Sequence, residues 1–416
     1  MQVISNLQQE NPAQPHGHVA RPRIALYSHD TIGFGHLRRN LLLATTLKRI
    51  APSPDILMIA GMREAGAFSL PEGIDMLTLP AYGKNPDGSY QSRHLGLSLR
   101  EIAQLRAATI RAALGVFDPD LLIVDNVPRG AQNELDQTLS ALNVNGHTRI
   151  VLGLRDIIDT PEKVRAQWLR QRNQSALLRW FDEIWIYGDQ DFFDLPREYG
   201  FGPTFEDRSH FMGYLDQRQR LTLSGQARHP PLPVGIPEGP FTLCTVGGGK
   251  DGAALCHAFA QTRLPEGHHG ILLTGSQMPA LEQEAIARHC AMRSDMTVLR
   301  FIPEPLPLME RAERIITMGG YNTVCEALSL GKRPLIIPRT LPRREQIIRA
   351  ERLARKGAID MLSPKDLSPA ALSRWLTDAS RQPDTEHQLD LGGLDRVRNR
   401  AAALIRYPRL SLTAIA

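Results

Sequence analysis

A chain of 416 residues is longer than one ordinary domain, so two domains are expected. Its 42% hydrophobic and 22% charged residues are those of a packed globular protein, and the lack of any run of about 18 apolar residues speaks against a membrane-spanning helix. The net charge of +5 fits an anionic substrate or an acidic membrane surface; with 6% aromatics and no basic run interleaved with them, it does not support nucleic-acid binding.

Residues 1–21 are polar and lack the apolar core of a signal peptide, which predicts a disordered leader. Ile24 to Ser28 reads as a short strand, followed by the turn His29-Asp30-Thr31-Ile32-Gly33-Phe34-Gly35-His36. A helix begins near His36, with Leu37, Leu41, Ala44 and Leu47 on one face. This is the first βα unit of a doubly wound sheet. A dinucleotide fingerprint needs a third glycine where Arg38 stands, which disfavours a nicotinamide dehydrogenase. Further strands are expected at Asp55 to Ala60, Ile74 to Leu79, Leu121 to Val124, Arg149 to Leu154 and Glu183 to Tyr187. Helices are expected at Arg100 to Leu114 and Glu162 to Trp180, an alternation that predicts a mostly parallel sheet over residues 22–214. Residues 215–240, with prolines at 230, 231, 233, 237 and 240, read as a linker.

A second series spans 241–390. Its strands are expected at Phe241 to Val246, Gly270 to Thr274, Met296 to Arg300, Ile315 to Thr317 and Arg333 to Ile337, and a last helix at Gly393 to Ile405 lies in the segment 391–416. Within this half, Ile315 to Pro338 reads as strand, glycine turn, helix, strand. Asn322 is a good N-cap, a helix is expected from Thr323 to Leu330, and Gly331 ends it. Such a turn offers unpaired N–H groups and the positive end of a helix dipole to a phosphate. Glu326, one helical turn beyond Asn322, suits a hydroxyl pair such as a ribose. Gly247-Gly248-Gly249 forms a second loop whose amides can approach a diphosphate, without the Gly-Lys-Ser/Thr order of a P-loop.

His36, at a helix start on the sheet's C-terminal edge, suits a general base acting on a hydroxyl or on water; as a bare residue it is equally a capping histidine. His29 is a second candidate. Arg129 and the pair Arg155-Asp156 follow apolar strands, where they either meet an acceptor or face solvent. The four cysteines, Cys244, Cys256, Cys290 and Cys325, are dispersed, which predicts buried thiols in a cytoplasmic protein. No H-E-x-x-H, no cysteine pair and no suitably placed Asp-x-Asp predicts a metal site.

The run Met318-Gly319-Gly320-Tyr321-Asn322-Thr323-Val324, then Glu326-Ala327-Leu328, Gly331, Pro334 and Ile336-Ile337-Pro338, followed by Arg344-Glu345-Gln346-Ile347-Ile348-Arg349-Ala350, resembles the donor-binding segment of inverting GT-B glycosyltransferases. The likeness is greatest to the glycosyltransferase 28 type that completes the lipid-linked peptidoglycan precursor, and it runs from Phe301-Ile302 to about Ala358. It implies two Rossmann-like αβα domains facing across a cleft, the first for the acceptor and the second for a nucleotide sugar, with the C-terminal helix crossing back. It implies that Gly247, Gly248, Gly249, Gly319, Gly320, Asn322 and Thr323 cradle phosphate, that Ile302 meets the base, that Glu326 takes the ribose, and that Glu345 and Gln346 take the sugar. Where the family carries an asparagine, this chain has Arg349. The loop with Gly33, Gly35 and His36 resembles the family's acceptor-side glycine loop. It resembles more closely the G-x-G-H-x-x-R segment of the hydrolase that removes UDP from a diacetamido-trideoxy sugar in pseudaminic acid synthesis, in which the histidine activates water.

The resemblance thus implies an inverting, metal-independent transferase using a nucleoside-diphosphate sugar, UDP-linked by preference, with no cofactor and with His36 as base. A nucleotide-sugar hydrolase and a non-catalytic nucleotide-sugar-binding protein are the alternatives. It also implies a cytoplasmic place in cell-envelope or polysaccharide synthesis, peripheral to the membrane's inner face if the acceptor is lipid-linked.

Overall fold

The computed structural model describes residues 21–29, 35–61, 70–84, 90–223, 236–378 and 389–406. Most of the expected leader, Gly33 and the proline run at 229–233 lie outside the described residues.

The first sheet takes its strands in the order β3-β2-β1-β6-β7-β8-β9. These are β1 (Arg23–Ser28), β2 (Asp55–Ala60), β3 (Ile74–Thr78), β6 (Leu121–Asp125), β7 (Arg149–Arg155), β8 (Glu183–Tyr187) and β9 (Ser209–Phe211). The short antiparallel pair β4 (Tyr82–Lys84) and β5 (Tyr90–Ser92) lies between β3 and β6 in the chain. The second sheet runs β12-β11-β10-β13-β14-β15, from β10 (Phe241–Thr245), β11 (His269–Leu273), β12 (Met296–Leu299), β13 (Arg314–Thr317), β14 (Leu335–Ile336) and β15 (Asp360–Met361). All pairings in both sheets are parallel. Helices cover both faces, so central strands read as unbroken apolar runs: Leu121, Leu122, Ile123 and Val124 are all at most 1% exposed. Each sheet reverses its strand order once, between β1 and β6 and between β10 and β13. Ligands of open α/β sheets bind beyond the strand ends at such a reversal.

Four expectations need correction. The stretch from Glu162 to Trp180 is two helices, Pro161–Arg170 and Asn173–Trp180, because Arg172 adopts a left-handed φ of 52° that no helix interior accepts. Asn322 is not an N-cap. The helix is Tyr321–Ser329, and the extended backbone of Gly320 caps it. Tyr321 is drawn to that position because its buried hydroxyl donates to the carbonyl of Tyr187, 2.7 Å away in the other domain. The strand expected from Arg333 to Ile337 shrinks to two residues, since Pro334 and Pro338 flank it without an N–H for the ladder. The segment after residue 214 is not all loop: it holds the short helix Gln219–Leu223, whose Arg220 is buried.

The domains are firmly joined. Tyr321, Val324, Cys325 and Leu328 of the second domain belong to one apolar cluster with β1, β6, β7 and β8 of the first. The C-terminal helix Gly393–Arg406 packs on the helix Gly35–Leu47 of the first domain, and its Arg400 pairs with Glu183 at 2.8 Å. The four cysteines are buried and form no disulfide. No helix among the described residues is long and apolar enough to cross a membrane.

Candidate active site

Both strand-order reversals open onto one interdomain cleft of about 1000 Å³. From the first domain it is lined by Gly35 and His36 after β1, by Asn126 after β6 and by Arg155 at the end of β7. From the second it is lined by Gly247, Gly248 and Gly249 after β10, Ile302 after β12, Gly320, Asn322, Thr323 and Glu326 after β13, and Glu345 and Gln346 beyond β14. Gly319 does not line it. It sits below, its carbonyl accepting from Arg349 Nη1 at 3.3 Å.

The two halves nearly touch. A Cβ on Gly35 would lie 2.1 Å from the side-chain nitrogen Nδ2 of Asn322, so a larger residue there would displace that side chain. In the helix Tyr321–Ser329 the first hydrogen bond runs from Val324 N to the carbonyl of Gly320, at 3.0 Å. The N–H groups of Tyr321, Asn322 and Thr323 therefore have no partner within the helix, and the cleft faces this positive end. Gly249 shapes the other loop. Its φ is +92°, and a Cβ would meet the carbonyl oxygen of Thr274 at 2.2 Å.

His36 is anchored by a residue that the sequence reading passed over. Its Nδ1 meets Oδ2 of Asp125, the last residue of β6. Asp125 is 1% exposed and also receives Arg39, with Nε at 3.0 Å from Oδ1 and Nη2 at 2.8 Å from Oδ2. Burial alone would raise the Asp125 carboxyl, but Arg39 and then His36 outweigh it and hold the group far below the ordinary carboxylate range. Arg39 Nη2 also lies 2.9 Å from Nδ1. The ionised carboxylate of Asp125 at the same nitrogen favours the tautomer that donates from Nδ1–H to Oδ2 and keeps Nε2 as the acceptor. Asp125, itself held by Arg39, fixes the orientation of the imidazole. The His29 ring stands 5.1 Å from that of His36. The sequence signal for Asp125 was a carboxylate directly ending an apolar strand.

Other residues carry more than their expected role. Glu326 lines the cleft but is 3% exposed, and its Oε1 accepts from Arg220 Nη1 at 2.6 Å, leaving only Oε2 for a ribose. The carbonyl of Ile302, expected at the base, accepts from Arg38 Nη2 at 3.4 Å, and that of Pro303 from the same nitrogen at 2.5 Å. Gln346 accepts from the N–H of Arg339 at 2.9 Å, and Glu345 Oε1 from Arg339 Nη2 at 2.7 Å. Glu345 Oε2 is buried without a hydrogen bond. Asp156 does not face the cleft for an acceptor, being 1% exposed and bound to Arg349. Arg129 lines the cleft but is held by Asp136 and donates to the carbonyl of Gln171. Among the described residues no three His, Cys, Asp or Glu side chains gather as metal ligands would.

Two facing α/β domains, each with its reversal point on a shared cleft, define the GT-B fold. Solved structures agree over more than nine-tenths of the chain. A glycotransferase of kitacinnamycin superposes with a TM-score of 0.58 at 17% identity, covering 94% of this chain and all of that one. A putative UDP-N-acetylglucosamine 2-epimerase from Listeria monocytogenes superposes with a TM-score of 0.62 at 14% identity, covering 93% and 96%. At such identities the likeness is one of fold. More particularly, residues 243–391 match the glycosyltransferase family 28 C-terminal domain. Relatives in sequence are UDP-N-acetylglucosamine–N-acetylmuramyl-(pentapeptide) pyrophosphoryl-undecaprenol N-acetylglucosamine transferases. That of Streptococcus sanguinis is 31% identical over 34% of this chain and 38% of its own length. That of Sinorhizobium medicae is 27% identical over 43% and 49%. The match thus spans less than half of these relatives.

Proposed function

We propose that the protein is an inverting, metal-independent glycosyltransferase that moves a sugar from a nucleoside-diphosphate donor, by preference a UDP-sugar, to a hydroxyl acceptor. The observation that carries this reading is the His36–Asp125 dyad of the first domain, set in one cleft with the free helix N-terminus at Gly320 to Thr323 of the second. The diphosphate would sit between that N-terminus and the loop Gly247 to Gly249. The sugar would face Glu345 and Gln346, the base the Ile302 segment, and the ribose Glu326. His36 Nε2 takes the proton of the acceptor hydroxyl. The oxygen attacks the anomeric carbon from the face opposite the diphosphate, and the anomeric C–O bond breaks with inversion. The charge on the leaving phosphate is met by the N–H groups of Tyr321, Asn322 and Thr323 and the hydroxyl of Thr323, which are in place beforehand. Asp125 keeps Nδ1–H aligned throughout.

The acceptor would bind on the first-domain wall. A lipid-linked acceptor, of the kind named for the relatives, would place the protein at a membrane surface in envelope or polysaccharide synthesis. The same base with water as acceptor would make a nucleotide-sugar hydrolase, a reading favoured by the Gly33-to-Arg39 segment. Release of free sugar without an acceptor separates the two.

The test is a thermal-shift screen against UDP, TDP, GDP, CMP and ADP, followed by turnover of the matching nucleotide sugars. A nucleotide at 100 times its dissociation constant stabilises by about 2.7 kcal/mol, readily seen. A shift with UDP alone supports the reading. No shift with any nucleotide removes it.

A further inference from the structure

We propose that Arg155, assisted by Arg343, binds the carboxylate of an acidic sugar beside the point of transfer, so that one of the two substrates carries a uronic acid or a similar sugar acid. This deepens the glycosyl-transfer reading and rests on it.

Behind the cleft wall Arg39 is paired with Asp125, Arg349 with Asp156, and Arg220 with Glu304 and Glu326. Of the arginines that line the cleft, Arg339 is paired with Asp251 and Glu345 and Arg129 with Asp136, Arg38 donates to the carbonyls of Ile302 and Pro303, and Arg170 is exposed to solvent. Arg155 and Arg343 also line the cleft, and neither forms a salt bridge with any described residue. The Nε of Arg155 is buried without a hydrogen-bond partner. Burial above all, with Arg349, Arg343 and Arg39 nearby, lowers this guanidinium to about 10 in spite of the opposing pull of Glu345. A cation left in a low-dielectric site with other cations near it suits an incoming anion.

Its position says where that anion lies. Arg155 ends β7, two residues beyond Gly153, which sits in register with Asp125 on β6. It therefore stands one strand away from the base partner. Glu345, near enough to act on Arg155 electrostatically, is the residue expected to meet the transferred sugar, and its Oε2 is buried with no donor. Asn126, held at a φ of 65°, has its Oδ1 buried and unmet as well. The subsite thus combines an unmet cationic donor with unmet acceptors. A sugar acid supplies the complement, a carboxylate for the guanidinium fork and ring hydroxyls for Glu345 and Asn126. The diphosphate has its own cradle in the other domain.

Calorimetric titration of the full chain decides it. UDP, UDP-glucose and UDP-glucuronic acid are compared on the wild type, Arg155→Ala and Arg155→Gln. Free glucuronate and glucose are titrated into the UDP-saturated and the nucleotide-free protein. If the acid is on the donor, UDP-glucuronic acid binds about tenfold or more tighter than UDP-glucose. If it is on the acceptor, that ratio is near one, and glucuronate binds where glucose does not. In both cases the preference disappears in the two Arg155 variants while UDP affinity is unchanged. The proposal is overturned by no preference for the acid in either arm, by a preference that survives loss of Arg155, or by weaker UDP binding in the variants, which would assign Arg155 to the diphosphate. Failure of UDP to bind the wild type would instead remove the transfer reading, and glucuronate titration of the nucleotide-free protein would still decide the subsite.

Discussion

Arg349 and Asp156 form a buried two-pronged ion pair between the domains, with Nη2–Oδ1 at 2.6 Å and Nε–Oδ2 at 3.0 Å. The hydroxyl of Tyr214 also donates to Asp156 Oδ2, at 2.9 Å. Removing one member strands the other's charge in the core, so Asp156→Ala should cost about 3–5 kcal/mol of unfolding free energy. The double change Asp156→Leu with Arg349→Met fills the space without stranding a charge and should cost far less. Urea denaturation of the single and double variants checks this. A cost below about 1 kcal/mol for Asp156→Ala would mean that the pair contributes little to domain docking.

The same pair shows what could be read from the sequence. Strands buried on both faces appear as apolar runs, and Glu183–Tyr187 begins and ends where expected. The glycine turn and helix that follow β13 were legible because they lie within one short stretch, although the helix starts at Tyr321 and the strand after it has only two residues. Arg349 and Asp156 are 193 residues apart, and nothing local marks them as partners. Asp125 escaped for a similar reason. Its role depends on β6 lying beside β1, and strand order is set by tertiary packing. The strands β14 and β15, of two residues each, are too short for periodicity to mark.

Asp125 gives a kinetic prediction with a pH counterpart. Asp125→Asn keeps the shape but cannot accept from both His36 and Arg39 as an anion does. Turnover should fall by about 10²–10⁴, as for loss of a general base, with UDP affinity held within about twofold. His36→Ala should behave alike. The folded carboxyl titrates below its unfolded value, so its stabilisation is present above roughly pH 4 and is lost as pH falls through the lower folded value. The difference in urea midpoint between wild type and Asp125→Asn should shrink as pH falls from about 5 towards 3. A difference that grows between pH 5 and pH 3 would contradict the assignment.

Gly249 tests the diphosphate loop. Alanine there meets both a φ of +92° and the Thr274 carbonyl at 2.2 Å, and neither can be relieved by a rotamer change. The backbone must move, at a cost of about 1–3 kcal/mol in stability. UDP affinity should fall while uridine affinity holds, since in the proposed placement only the phosphates meet this loop. Equal loss for both ligands in paired titrations would point to general unfolding of the site.

Glu326 separates a binding role from a structural one. Its Oε1 is committed to Arg220, which Glu304 also holds through a contact of 3.0 Å to Nε. If Oε2 accepts from the ribose, the wild type should bind UDP more tightly than 2′-deoxy-UDP, by about tenfold or more for a charge-assisted bond. Glu326→Gln replaces the carboxylate with a neutral amide and should narrow that ratio. Arg220 keeps Glu304, so the variant should stay folded. The converse result is equally informative. If Glu326→Gln melts lower yet retains the full preference for UDP, Glu326 serves to pin the Arg220 segment beneath the donor helix. The ribose would then be held by other groups on the cleft wall.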